Sequence, residues 1–190
     1  MTGKTHQIFG LSLGLTTFLL ISEPSYNPAT LAAVFIISSV GSLLPDADKA
    51  TSQIWHSVPV VGHGAGKIVE PFISHRGITH SLIGMVLAGF LFFFVLKYFP
   101  SYWGINFLAV FICALIAYFS HVFADMFTVE GVPLLWPAKW KVGIPPKPLD
   151  GLRIMSGKWF ENLVIFPILN ILLIFLIWSN WTSIKLFLFK

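Results

Sequence analysis

The sequence predicts an all-α, polytopic membrane bundle of about five transmembrane helices, with two long, partly helical cytoplasmic loops lying over the helix ends. Three observations predict it. Of 190 residues, 56% are hydrophobic and only 11% are charged. The apolar residues come in long blocks rather than at the amphipathic spacing of a soluble helix. The basic residues gather between alternate blocks, as they do in chains that cross a bilayer.

The blocks run from Ile8 to Ile21, Ala29 to Leu44, Leu82 to Tyr98, Trp103 to Ala124, and Leu163 to Trp178. A helix needs about 20 apolar residues to cross about 30 Å of hydrocarbon at 1.5 Å of rise per residue. The first two blocks are short, so they extend into polar flanks or sit in thinned bilayer. No small-residue cleavage site follows the first block before Glu23 and Pro24, so the N-terminus is expected to be retained. The single Cys113 lies inside the fourth block, which excludes an internal disulfide and makes it a small core residue.

Five crossings put Lys4, Lys49, Lys67, Arg76, Lys139, Lys141, Lys147, Arg153 and Lys158 on one side, and Lys97, Lys185 and Lys190 on the other. The richer side is predicted to be cytoplasmic, in a bacterial inner membrane. The same dispersal excludes nucleic acid as a partner, because it makes no basic stripe. No repeat or linker divides the chain, so residues 1–190 read as one membrane domain.

Ser22 to Pro28 and Phe99 to Tyr102 are tight turns, whereas Pro45 to His80 and Asp125 to Asn162 are long and share the cytoplasmic side. Long connections in compact domains carry function or are disordered, and these are too rich in Trp, Pro and Gly to be simply solvated. Trp55, Trp136, Trp140 and Trp159 suit headgroup depth.

Ionisable residues from separate segments converge on that face. His6 precedes the first block, Asp46 and Asp48 follow the second, His75 and His80 lead into the third, and His121 and Asp125 end the fourth. His121 and Asp125 are four apart on a helix, so they share a face and can hold one ion. Asp46 and Asp48 follow Pro45 in an extended turn that lets alternate carboxylates face one way. Gly77 gives the bend that lets His75 and His80 reach one centre. Imidazole with carboxylate is the donor set for zinc, and also for manganese or iron. His56 and His63 lie in a polar loop, where a solvated role is the simpler reading.

The early His, the Pro-Asp-x-Asp turn, His75-Arg76-Gly77-Ile78-Thr79-His80-Ser81 and Ser120-His121-x-x-x-Asp125 together resemble the YdjM-type family of bacterial inner-membrane proteins, described as membrane-bound metal-dependent hydrolases. The likeness runs from about His6 to Pro137. It implies hydrolysis, with the matching His and Asp residues as metal ligands. It implies no particular substrate, and nothing about residues after Pro137.

Seven candidate ligands, namely His6, Asp46, Asp48, His75, His80, His121 and Asp125, exceed the needs of one tetrahedral ion. Two divalent ions bridged by a carboxylate are therefore expected, the arrangement that clamps both oxygens of a phosphoester displacement. One of Asp46, Asp48 or Asp125 bridges the ions or takes the proton, and Asp48 is a candidate for that transfer. Arg76, Thr79 and Ser81 are placed to hold an anionic group. A site at the membrane surface favours a lipid-linked or phosphorylated substrate. A divalent-metal transporter and a non-catalytic lipid-binding protein are the rivals, although a transporter would place ionisable residues nearer the bilayer midplane.

Overall fold

A computed structural model of the chain describes residues 1–22, 27–49, 51–56, 77–98 and 104–188. Seven α-helices occur among the described residues, and no strand beyond isolated bridges. They are α1 (Gly3–Ile21), α2 (Pro28–Gly41), α3 (Gln53–His56), α4 (Leu82–Tyr98), α5 (Phe107–Met126), α6 (Phe166–Ser179) and α7 (Trp181–Leu188). The expected loops hold 3-10 turns at Leu44–Asp48, Ile78–His80 and Leu149–Leu152, and a π-helical turn at Glu161–Ile165 leads into α6.

Local chemistry sets the helix starts. Asn27 caps α2 by accepting from the Thr30 amide at 2.9 Å, with Pro28 in the first turn. Asn106 does the same for α5 through the Ala109 amide at 2.8 Å. The Asn106 amide also donates to Thr30 Oγ1 at 3.0 Å, which fastens these two starts together. The block from Ala29 to Leu44 does not make one helix. It leaves the α-helix after Gly41 and tightens into a 3-10 turn from Leu44, because Pro45 has no amide to donate to the Gly41 carbonyl.

α5 is the central helix and packs against α1, α2 and α4. Cys113, Ala114, Tyr118 and Val122 from α5 join Leu15 and Phe18 of α1 and Val34 of α2 in the core. α1 and α2 approach closely through small residues. A Cβ on Gly14 would stand 2.1 Å from Ser38 Oγ, and one on Gly10 would stand 2.3 Å from Ser42 Cβ. This is the small-residue helix contact of membrane proteins.

α1 and α4 lead away from one end of the bundle, α2 and α5 return to it, and α6 leads away again. At the far end α7 turns back so that Ile184 and Phe187 are buried and Phe187 meets Phe18 edge to face, 5.4 Å between ring centres. At the near end residues 127–160 fold back over the helix ends, held by single bridges between Val132 and Val142 and between Thr128 and Ile154. The Leu134 carbonyl accepts from the Leu82 amide at 3.0 Å, which joins this segment to the start of α4.

Two segments are long and apolar enough to cross a membrane by length and composition, Phe107–Met126 and Glu161–Ser179. Little of the second is buried within the bundle, and α4 likewise displays Leu82, Val86, Phe90 and Phe94. Apolar faces this continuous need a nonaqueous neighbour.

Candidate metal centre

The near end of the bundle brings together side chains from four elements. His6 comes from the first turns of α1, Asp46 from the 3-10 turn after α2, His80 from the 3-10 turn before α4, and His121 and Asp125 from the last turns of α5. His6, His80, His121 and Asp125 are fully buried, and the Asp46 side chain is 22% exposed. Two overlapping donor groups result, His6 with Asp46 and His121, and His80 with His121 and Asp125, each with its ligand atoms within 4.8 Å of one another.

Hydrogen bonds fix how the imidazoles present themselves. His121 Nδ1 lies 2.6 Å from the Ser42 carbonyl oxygen, which can only accept, so Nδ1 carries the proton and Nε2 faces the cluster with its lone pair. His80 is set by a longer chain. Thr79 Oγ1 donates to Asp48 Oδ2 at 3.1 Å, and having spent its proton it accepts from His80 Nδ1 at 3.0 Å. His80 Nε2 is then also a lone pair.

The two Nε2 atoms are 3.2 Å apart. Asp46 Oδ1 lies 3.6 Å from each, and Asp125 Oδ2 lies 3.7 Å from His80 Nε2 and 3.9 Å from His121 Nε2. Asp46 turns Oδ1 toward both nitrogens, and a carboxylate ionised near neutral pH offers only lone pairs. Asp46 is therefore an acceptor as well. Four acceptor atoms at this spacing repel one another unless a cation lies among them.

The spacing suits such an ion. Donors about 2.0 to 2.1 Å from a tetrahedral ion stand about 3.3 Å from each other. His6 supports the same reading. Its ring stacks on His121 with centres 3.6 Å apart, and neither of its buried nitrogens has a hydrogen bond among the described residues. Its Nε2 nevertheless lies 3.1 Å from Asp125 Oδ1, to which the Met1 amino nitrogen also donates.

Among the seven expected ligands, five thus meet in one cluster. Asp48 stands one hydroxyl behind His80, in neither donor group, and holds that imidazole through Thr79. Thr79, expected beside an anionic group, is the link in that chain. Ser81, given the same expectation, is instead committed to the start of α4, where its Oγ donates to the Ile78 carbonyl at 2.6 Å and accepts from the Gly84 amide at 3.1 Å. His75 and Arg76 lie outside the described residues, as does His63.

Two supports are less legible in the sequence. Tyr118, one turn before His121, donates to the Thr79 carbonyl and steadies the turn that carries His80. Glu161 is fully buried, accepts from the Thr2 amide at 2.6 Å and Thr2 Oγ1 at 2.9 Å, and also accepts from the Gly157 amide at 2.7 Å. It ties the start of α1, and with it His6, to the last long helix. A polar cleft of about 680 Å³, lined by Thr2, Lys4, Asp46, Lys49, Gln53 and Glu130, opens onto the cluster at Asp46.

The geometry can be set beside known proteins. The chain is 30% identical over 165 residues to YvsG of Bacillus subtilis, covering 87% of this chain and 88% of that protein. It is 38% identical over 181 residues to the inner membrane protein YdjM of Escherichia coli, covering 95% of this chain and 82% of its relative, and equally similar to YdjM of Shigella flexneri. No solved structure matches the chain. The family model described as YdjM inner membrane protein matches residues 1–187, so the chain that gathers these imidazoles and carboxylates belongs to the YdjM family of inner membrane proteins.

Proposed function

We propose that the chain is a membrane-bound metal-dependent hydrolase that cleaves a phosphoester of a lipid-linked substrate at the cytoplasmic face of the inner membrane. The observation that carries this reading is the set of lone pairs and carboxylates turned toward one buried point, 3.2 to 3.9 Å apart, by hydrogen bonds on their far sides.

His6, Asp46, His80, His121 and Asp125 would hold the ion, with zinc the best match to imidazole and carboxylate donors, and manganese or iron compatible with them. Because His121 offers one nitrogen to both donor groups, these residues suffice for one ion. The second ion expected from the sequence would draw on Asp48 and on His75. A divalent ion here supplies Lewis acidity toward a phosphoryl oxygen and acidifies water so that hydroxide is available near neutral pH.

The chain's own residues supply the rest. Ser42, Thr79 and Asp48 hold the imidazoles in their tautomers, the partnership that metal-binding histidines commonly need. The cleft brings water to Asp46, and Lys4 and Lys49 on its walls attract an anionic headgroup. The lipid reading rests on the apolar faces that surround the site. The alternating helix directions support five crossings, with α1, α4 and the Glu161–Ser179 segment leaving the site end and α2 and α5 returning, and the basic excess beside the site supports a cytoplasmic position for that end.

The test is elemental analysis of gently purified protein, then phosphate release from a panel of lipid phosphates. Bound metal that is lost in His80→Ala, together with release from at least one lipid phosphate, is expected. Metal without any hydrolysis would leave the centre standing and remove the hydrolase, and metal transport into proteoliposomes would replace it.

A further inference from the structure

Behind His80, on the side away from the polar cleft, lies a second cavity of about 440 Å³. Its walls are almost wholly apolar. Ala47 and Asp48 of the 3-10 turn form one side, Leu87 and Leu91 of α4 the other, and Thr79 with Tyr118 close the inner end. Leu87 and Leu91 are each about half exposed on the apolar outer surface of α4, so the groove opens where hydrocarbon surrounds the bundle.

The 3-10 turn Leu44–Asp48 stands between the two cavities. Asp46 lines the polar cleft, and Asp48, two residues on, lines the apolar groove. A turn that meets water on one side, at the ligand Asp46, and an apolar groove on the other, at Asp48, suits a molecule with that same division. We propose that this groove is the acyl-chain site of a membrane-lipid phosphate, admitting one hydrocarbon chain from the bilayer between α4 and the 3-10 turn. The inference rests on the lipid-phosphate reading of the metal centre and adds where the lipid lies.

The groove acts by position more than by affinity. Moving a chain from bilayer to a leucine-lined wall exchanges one hydrocarbon for another, so little free energy is gained by the transfer itself. What the wall fixes is register. From Gly84 to Leu91 the helix covers about 10 Å at 1.5 Å per residue, and the groove reaches Thr79, the hydroxyl that bonds His80 Nδ1. A chain seated along it therefore brings its headgroup to the turn that carries His80.

The probe is phosphatidic acid with a diazirine in its acyl chain, photolysed with the full-length protein in phosphatidylcholine nanodiscs and mapped by peptide mass spectrometry. Adducts are expected at Ala47, Leu87 and Leu91, displaced by unlabelled phosphatidic acid. A Leu87→Trp, Leu91→Trp variant fills the groove from its half-exposed rim and should cut those adducts at least fivefold with metal content unchanged, whereas Phe90→Trp on the outward face should not. Equal labelling by a diazirine phosphatidylcholine, or labelling that ignores the double substitution, would show only surrounding lipid and overturn the proposal. Saturable labelling without phosphate release would keep the groove and remove the hydrolase. Phosphate release undiminished in the double variant would keep the hydrolase and remove the groove.

Discussion

At the scale of single residues, the centre depends on atoms that never touch the ion. Thr79 takes its place by being both donor and acceptor, passing the charge of Asp48 to His80. Thr79→Val keeps the shape and removes both bonds, and its expected effect is a 10- to 100-fold loss of metal affinity by chelator competition, with Thr79→Ser close to the parent. His121→Ala removes the nitrogen common to both donor groups and should leave the purified protein without metal in elemental analysis, while helical content by circular dichroism is retained. The five converging residues were legible because each ends or begins an apolar block and parity places them together. The order within the site was not. Pro-Asp-x-Asp reads as two equivalent carboxylates, but a tight 3-10 turn separates residues two apart by most of a turn, so Asp46 and Asp48 face different cavities. Ser81 reads equally well as an anion ligand or a helix cap, and its neighbours in space decide for the cap.

At the scale of elements, close approaches decide what can change. A Cβ on Gly84 would lie 2.0 Å from the Ile78 carbonyl oxygen, which is backbone and cannot swing aside. Gly84→Ala should therefore displace the turn that carries His80 and lower metal content before it lowers helicity. Gly14→Leu forces α1 away from α2 at Ser38 and should destabilise the bundle by about 1–3 kcal/mol or more, read as a lower midpoint of thermal unfolding in detergent. The α4 bounds were legible to the residue, since Ser81 stands before the apolar block and Phe99-Pro100 follows it. α7 was not anticipated. Eight residues with Lys185 among them read as a tail, and only contact with Phe18 shows why Ile184 and Phe187 are apolar.

At the scale of the whole molecule, length and composition mark two crossing segments, because α2 and α4 are 14 and 17 residues long and α1, with 19, opens on the polar run Gly3-Lys4-Thr5-His6-Gln7. Their membership of a membrane bundle shows in their apolar outer faces rather than their span. The five crossings proposed above make a directional expectation: alkaline phosphatase fused after Leu188 should be active outside the cytoplasm, and fused within residues 133–148 it should be inactive. Equal activity at both positions would mean an even number of crossings between them.

The clamp between Thr2 and Glu161 also orders events in time. All five gathered donors have been synthesised once Asp125 is added, yet the Glu161 fastening for the first turn is made only later, a delay on the order of seconds at 5–20 residues per second. Until then the start of α1 has Asp125 and His121 as neighbours but lacks its second anchor. Full fastening of the first turn thus waits on translation of the C-terminal third.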